Sequence, residues 1–210
     1  MPVSHPRSLS LVHVVINSMA PKSVIDIGVG YGKTGVLLRQ FLDVARKRYR
    51  PDEWQAEIYG IETFGEYHNP LWDYAYNRVV IADALDGLDQ LPDVDLIVAL
   101  DVWEHFRRDY AHRLLEKCLD KARFLILCTP IDPLPQGAVF GNAHEEHISR
   151  WEPRDFAAVP QRRVLTTGED WVLVLSRGEL PPYEAWKLSS PLDVAMEGLR
   201  NAWRLWRHRA

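Results

Sequence analysis

The 210-residue sequence predicts an α/β domain: a doubly wound, mostly parallel seven-stranded sheet with helices on both faces. Two patterns carry that expectation. Short apolar runs of strand length alternate along the chain with amphipathic segments, as in a buried parallel sheet under covering helices. The last two apolar runs are joined by Thr167-Gly168-Glu169-Asp170, a turn that suggests an antiparallel hairpin at the sheet edge. The length fits one domain with a full core rather than two.

The elements follow in order. A helix spans residues 8–19 and stops at Pro21. The first strand covers 23–27 and leads to a helix near 34–48. The second and third strands cover 57–61 and 78–81. The fourth, 95–100, precedes a helix over 109–121 and a fifth strand at 123–128. A long loop from 129 to 150 carries prolines and histidines. Pro153 sits in the first turn of a helix start through Glu152-Pro153-Arg154-Asp155-Phe156. Strands at 163–166 and 171–176 form the closing hairpin. Residues 1–178 read as the domain, and 179–210 as a proline-rich bridge and a C-terminal amphipathic helix.

Composition narrows the function classes. No apolar run approaches the roughly 20 residues that cross a bilayer, and the N-terminus carries no secretory pattern. Only Cys118 and Cys128 occur, in a predicted helix and a predicted strand, so buried free thiols and a cytoplasmic setting are expected. The net charge of −4 hides an asymmetry: Arg200, Arg204, Arg207 and Arg209 crowd the end, and the remainder sums to −8. An acidic body argues against a nucleic-acid groove, which needs contiguous basic surface.

The most informative segment is Val24-Ile25-Asp26-Ile27-Gly28-Val29-Gly30-Tyr31-Gly32-Lys33-Thr34-Gly35. A buried strand runs into three alternating glycines and then a helix, whose first N–H groups suit an electron-rich ligand group. A Walker A loop needs four residues between its first glycine and Gly-Lys-Thr. Gly28 precedes Gly32-Lys33-Thr34 by three, so the loop is one residue short. The better pattern is Asp26-x-Gly28-x-Gly30-x-Gly32, with an acid ahead of the glycines. A carboxylate there repels a pyrophosphate and attracts an ammonium. S-adenosylmethionine carries an ammonium, a sulfonium and no phosphate, and the charge pattern selects it.

Further acids stand at the ends of successive strands. Glu62 ends the second, suited to both ribose hydroxyls. Asp83, beside Ala84, follows the third, where it can accept the adenine amino proton. Asp101 ends the fourth, toward the methionine end. Ligands of such sheets bind at this edge.

From Asp26-Ile-Gly-Val-Gly-Tyr-Gly32, Glu62, Asp83 and Leu100-Asp-Val-Trp-Glu-His-Phe106, residues 8–177 resemble the class I S-adenosylmethionine-dependent methyltransferases. The resemblance implies strand order 3-2-1-4-5-7-6, a Rossmann-like sheet, and S-adenosylhomocysteine as product. It also implies the ligand roles of Asp26, Gly28, Gly30, Gly32, Glu62, Asp83, Ala84 and Asp101. The chain departs from the family in the thirty-residue step from Gly32 to Glu62, lengthened by Arg46-Lys-Arg-Tyr-Arg50 and residues 51–55. His147-Ile-Ser-Arg-Trp151-Glu-Pro153-Arg-Asp-Phe156 is similar to a His-x-x-x-Trp-x-Pro-x-x-Phe stretch of the family.

The expected reaction is methylation of a small-molecule acceptor, O-directed before N-directed; the alternative is a catalytically silent cofactor-binding scaffold. A hydroxyl acceptor needs a proton acceptor, and the candidates are His147, His105, Glu104 and His144. Tyr67, Trp72, Tyr74, Tyr76 and Trp103 are candidate lining for the acceptor. Asp101-x-x-Glu104-His105 looks like the Glu-x-x-Glu-His of ubiquinone-pathway O-methyltransferases, some of which use magnesium. Many relatives with a similar segment need no metal, and none is expected here. Neither Asn/Asp-Pro-Pro-Tyr nor a Pro-Cys nucleophile follows the fourth strand, so nucleic acid is not the expected substrate. At the C-terminus Leu192, Met196, Leu199, Trp203 and Trp206 share one helical face. It is read as docking on the body or on a second copy in a homodimer, with membrane-surface contact as the alternative.

Overall fold

The computed structural model describes residues 6–139 and 141–181. Helix α1 (Pro6–Met19) leads into β1 (Ser23–Ile27) and α2 (Lys33–Leu42). Then come β2 (Glu57–Glu62), α3 (Pro70–Ala75), β3 (Arg78–Ile81), α4 (Ala84–Asp89) and β4 (Val94–Leu100). Helix α5 (Arg108–Lys121), β5 (Ala122–Pro130), β6 (Gln161–Thr166) and β7 (Asp170–Ser176) complete the order. The expected C-terminal helix and most of its bridge lie outside the described residues.

The seven strands form one sheet in the order β3-β2-β1-β4-β5-β7-β6. β1 pairs in parallel with both β2 and β4, while β7 runs antiparallel to β5 and β6. Successive strand residues face opposite sides, and both sides are apolar. Ile25, Ile27, Ile97, Ala99, Leu125 and Leu127 pack into one cluster with Leu88 of α4 and Leu114 and Cys118 of α5. Val24, Leu96, Val98, Ile126, Val172 and Val174 alternate with them, equally buried. Hence the strands read as continuous apolar runs. Both cysteines are buried thiols, and among the described residues no helix is long and apolar enough to cross a membrane.

Three segments differ from the sequence expectation. α2 ends at Leu42 rather than running to residue 48, because Asp43 gathers the chain that follows. Its carboxylate takes the Arg39 guanidinium at 2.6 Å, that of Arg48 at 2.7 Å and the Gln55 N–H at 2.8 Å. The long insertion before β2 is therefore wrapped around a buried ion-pair knot. Helices α3 and α4, six residues each, were too short to show periodicity, although Asn69 and Asp83 cap them with side-chain bonds to the N–H groups of Leu71 and Leu85.

Candidate active site

Strand order reverses between β1 and β4, which places a crevice at their carboxyl ends. Register aligns the tips: Ile27 lies beside Ile61 and Ala99, and Glu62 beside Ile81. A cavity of about 280 Å³ opens there. Its wall includes Gly28, Gly30, Glu62, Asp83, Ala84 and Asp101 from the strand ends, and His105, His144, Glu145 and Ile148 from the segments beyond β4 and β5. Glu62, Asp83, Asp101 and Glu145 outnumber the cations Lys33 and Arg107 in that wall.

The glycine turn is built by close approach. Gly28 has φ 82°, and a Cβ there would lie 2.4 Å from Val102 Cγ2. Gly32 caps α2 in the left-handed region at φ 85°, a conformation that side chains disfavour. The Trp72 indole N–H donates to the Gly30 carbonyl at 2.9 Å, bracing the loop from α3.

Asp26 and Gly32 are outside the cavity wall. Asp26 is buried beneath the turn, where it accepts the Tyr76 hydroxyl at 2.6 Å. That same hydroxyl accepts the Gly35 N–H at 2.9 Å. Gly35 has no room for a Cβ, which would meet the Tyr76 ring at 2.2 Å. Burial pushes the Asp26 carboxyl up to about 7, against the Tyr76 bond and with help from the charge of Glu62.

Glu62 faces the cavity and is fixed at both oxygens. Oε2 accepts the Gly30 N–H at 2.8 Å and Oε1 the Phe64 N–H at 2.9 Å. Burial raises its pKa, and these N–H bonds oppose the rise. A carboxylate has about four acceptor positions, so Glu62 keeps room for a further donor. Asp83, also in the cavity wall, uses Oδ1 for the Tyr110 hydroxyl at 2.5 Å and the Leu85 N–H at 3.0 Å. Asp101 follows β4 with φ 55°, a left-handed conformation that aspartate tolerates better than most residues. Lys33 lines the same end; burial lowers its pKa, while Asp101 and Asp26 favour its charge.

Beyond β4, residues 103–105 form one turn of 3₁₀ helix tied to the loop after β5. The Glu104 carbonyl accepts the N–H groups of Ile148 and Ser149, both at 3.0 Å, and the Trp151 indole donates to the Trp103 carbonyl at 3.0 Å. This clamp sets the His105 and His147 rings 5.0 Å apart. His105 Nδ1–H donates to the Glu146 carbonyl at 3.0 Å, and His147 Nδ1–H to that of Leu134 at 2.7 Å. Burial lowers the His105 pKa, which favours the neutral ring; with Nδ1–H donating, Nε2 carries the lone pair of that form. His105 and His144 line the cavity, whereas Glu104 and His147 stand outside its wall. Glu104 is buried and accepts the Thr129 hydroxyl at 3.0 Å; burial, then the charge of Asp101, pushes it up to about 8. Its potential metal partners also differ from the sequence spacing. Donor atoms of Glu104, His105 and His147 come together, while Asp101 groups with Cys128 and Asp170.

Several wall residues escaped sequence reasoning. Glu145 is buried and accepts the Tyr67 hydroxyl at 3.0 Å, and Asn142 donates to the same hydroxyl at 3.3 Å. Burial pushes Tyr67 up to about 12. The aromatic wall is Tyr31, Phe106 and Tyr110, in place of the five aromatics expected. Trp72 and Tyr76 instead brace the glycine turn from behind, Trp103 fills the core, and Tyr74 packs edge-on to Trp54. No local signal marks Tyr110, which reaches Asp83 from 27 residues away.

No family profile matches the sequence, and no curated protein matches it either. Solved structures do. The N-terminal domain of EvdMO1 with S-adenosylhomocysteine bound superposes at TM-score 0.55 and 15% identity, covering 82% of each chain. A methyltransferase from Archaeoglobus fulgidus gives 0.55 at 14% identity, over 80% of this chain and 93% of that one. Magnesium protoporphyrin IX methyltransferase from Synechocystis PCC 6803, with S-adenosylmethionine bound, gives 0.51 at 17% identity, over 82% and 78%. The chain has the fold of the class I S-adenosylmethionine-dependent methyltransferases.

Proposed function

We propose that the protein transfers the methyl group of S-adenosylmethionine to a hydroxyl of a small molecule. The observation that carries this reading is the acid-lined cavity at the β1–β4 switch, with Glu62 anchored on the Gly30 N–H. Glu62 takes the ribose hydroxyls, Asp83 the adenine amino group, and Ala82 and Ala84 flank the ring. The methionine part lies over Gly28–Gly32, its carboxylate at the N-terminus of α2 and Lys33, its ammonium toward Asp101. Asp26 acts from beneath the turn. Structures of this fold with S-adenosylmethionine or S-adenosylhomocysteine bound support the cofactor.

The sulfonium methyl then points to the end lined by His105, His144 and Glu145. Transfer is an in-line displacement on an activated donor, so the site chiefly orients the reactants and excludes water. The oxygen–methyl bond forms as the carbon–sulfur bond breaks, and the electron pair stays on sulfur. The hydroxyl proton passes to a histidine of this end, His144 or His105. The acidic wall disfavours nucleic acid as substrate. A cytoplasmic setting is part of the proposal, in keeping with two buried thiols.

The test supplies labelled S-adenosylmethionine and a panel of hydroxylated and aminated small molecules. Base-dependent transfer to a hydroxyl, lowered about 10²- to 10⁴-fold in the His105→Ala/His144→Ala double variant, is expected. Transfer only to amines, or no transfer across the panel despite cofactor binding, contradicts the reading.

A further inference from the structure

We propose that Glu145 binds an ammonium group of the acceptor, so that the methylated hydroxyl belongs to a cationic amino alcohol or amino sugar. This rests on the methyl-transfer reading and extends it to the charge of the acceptor. In that reading Glu62, Asp83 and Asp101 serve the cofactor, and Glu145 is the acid of the wall left without such a duty. It is 8% exposed, and among the described residues no lysine, arginine or histidine forms an ion pair with it. A carboxylate buried without a cation has given up water for little return.

The bonds that Glu145 does make hold it in place. The Tyr67 hydroxyl, from the loop after β2, donates to Oε1 at 3.0 Å. Asn142 donates to that same hydroxyl at 3.3 Å, and the Gln136 side-chain amide to the Glu145 carbonyl at 2.6 Å. Burial pushes Tyr67 up to about 12, so its hydroxyl keeps the proton and remains a donor. One neutral donor leaves the carboxylate room for a further one. Tyr31 adds a ring face. It lies in the cavity wall, is 47% exposed, and stands 5.0 Å from the Tyr67 ring. A fixed carboxylate beside an open aromatic face favours an ammonium over a neutral group.

The position suits the reaction. The charge of Glu145 reaches Glu62 on one side and His105 on the other, which puts the ammonium beside the acceptor end. An acceptor held there presents a hydroxyl of the same small skeleton to the sulfonium methyl. The amine is not methylated, because its lone pair carries a proton while it is bound as an ammonium. The oxygen–methyl bond forms, the carbon–sulfur bond breaks with its electron pair left on sulfur, and His144 or His105 takes the hydroxyl proton.

The test reads binding apart from transfer. Tyramine, octopamine and glucosamine, each with its N-acetyl derivative as neutral partner, are titrated by calorimetry into the full chain saturated with S-adenosylhomocysteine. At least one amine is expected to bind about 10- to 150-fold more tightly than its partner, the worth of one charge-assisted bond. Glu145→Gln, which keeps an acceptor for the Tyr67 hydroxyl, abolishes that margin, and Tyr31→Leu lowers amine affinity about 2- to 5-fold. The melting temperature and S-adenosylhomocysteine affinity of each variant control for its fold. Amines that bind no better than their partners or not at all, a margin that survives Glu145→Gln, or loss of S-adenosylhomocysteine binding in that variant overturns the proposal. Labelled S-adenosylmethionine separates the two readings. Hydroxyl methylation that is indifferent to Glu145→Gln sinks the ammonium site and leaves methyl transfer standing, whereas Glu145-dependent amine binding without transfer does the reverse.

Discussion

At the scale of single residues, burial sets the chemistry. Asp26 is legible in the sequence as the acid ahead of the glycines, but its place beneath the turn is not. That place depends on Tyr76, fifty residues away, whose ring fills the space Gly35 leaves. The consequence is a pH signature. An unfolded aspartate ionises near its ordinary 3.8, whereas folded Asp26 does so at about 7. Between those values the folded state holds the extra proton, so stability falls as pH rises through the window and levels off above it. Asp26→Asn keeps an acceptor for the Tyr76 hydroxyl and removes the titration. In thermal melts from pH 5 to 7 the variant therefore gains on the wild type by roughly 1.4 kcal/mol per pH unit at most. Parallel stability curves contradict the assignment.

At the scale of elements, local pattern located the strands and the long helices, because apolar runs and helical periodicity are local. Two kinds of feature were not local. Helices α3 and α4 are one and a half turns long, and only their caps, Asn69-Pro70 and Asp83, announce them. The clamp after β4 is the other. His-x-x-x-Trp was visible as a motif, yet the reason for its spacing is tertiary. Trp151 reaches the Trp103 carbonyl and the Ser149 hydroxyl, the latter at 2.6 Å, while its ring carries the Arg108 guanidinium at 4.6 Å. Trp151→Phe strips those bonds from a buried site. Urea unfolding should show a loss of about 1–3 kcal/mol, with the His105–His147 contact loosened. A variant as stable as wild type means the clamp holds nothing.

At the scale of the whole molecule, the sheet order followed from the resemblance, and charge from composition. The acidic sum of the body reappears as the acid-rich wall of the cavity, where Glu62, Asp83 and Asp101 arrive from three successive strand ends. Glu145 arrives from the loop after β5, and its place in the wall depends on how that loop folds back over the strand tips. Each strand-end carboxylate was readable because a parallel sheet aligns its tips; the loop acid was not, because no period governs a loop.

The central claim is that this wall is shaped for a phosphate-free adenosine bearing positive charge. Calorimetric titration of the wild type and Glu62→Ala with S-adenosylhomocysteine, with ATP and NAD as comparators, addresses it directly. The account predicts one-to-one binding of S-adenosylhomocysteine, weakened about 10²- to 10⁴-fold by the loss of two charge-assisted ribose bonds, and no saturable heat from ATP or NAD. Tight binding of ATP, or S-adenosylhomocysteine binding that Glu62→Ala leaves untouched, contradicts it.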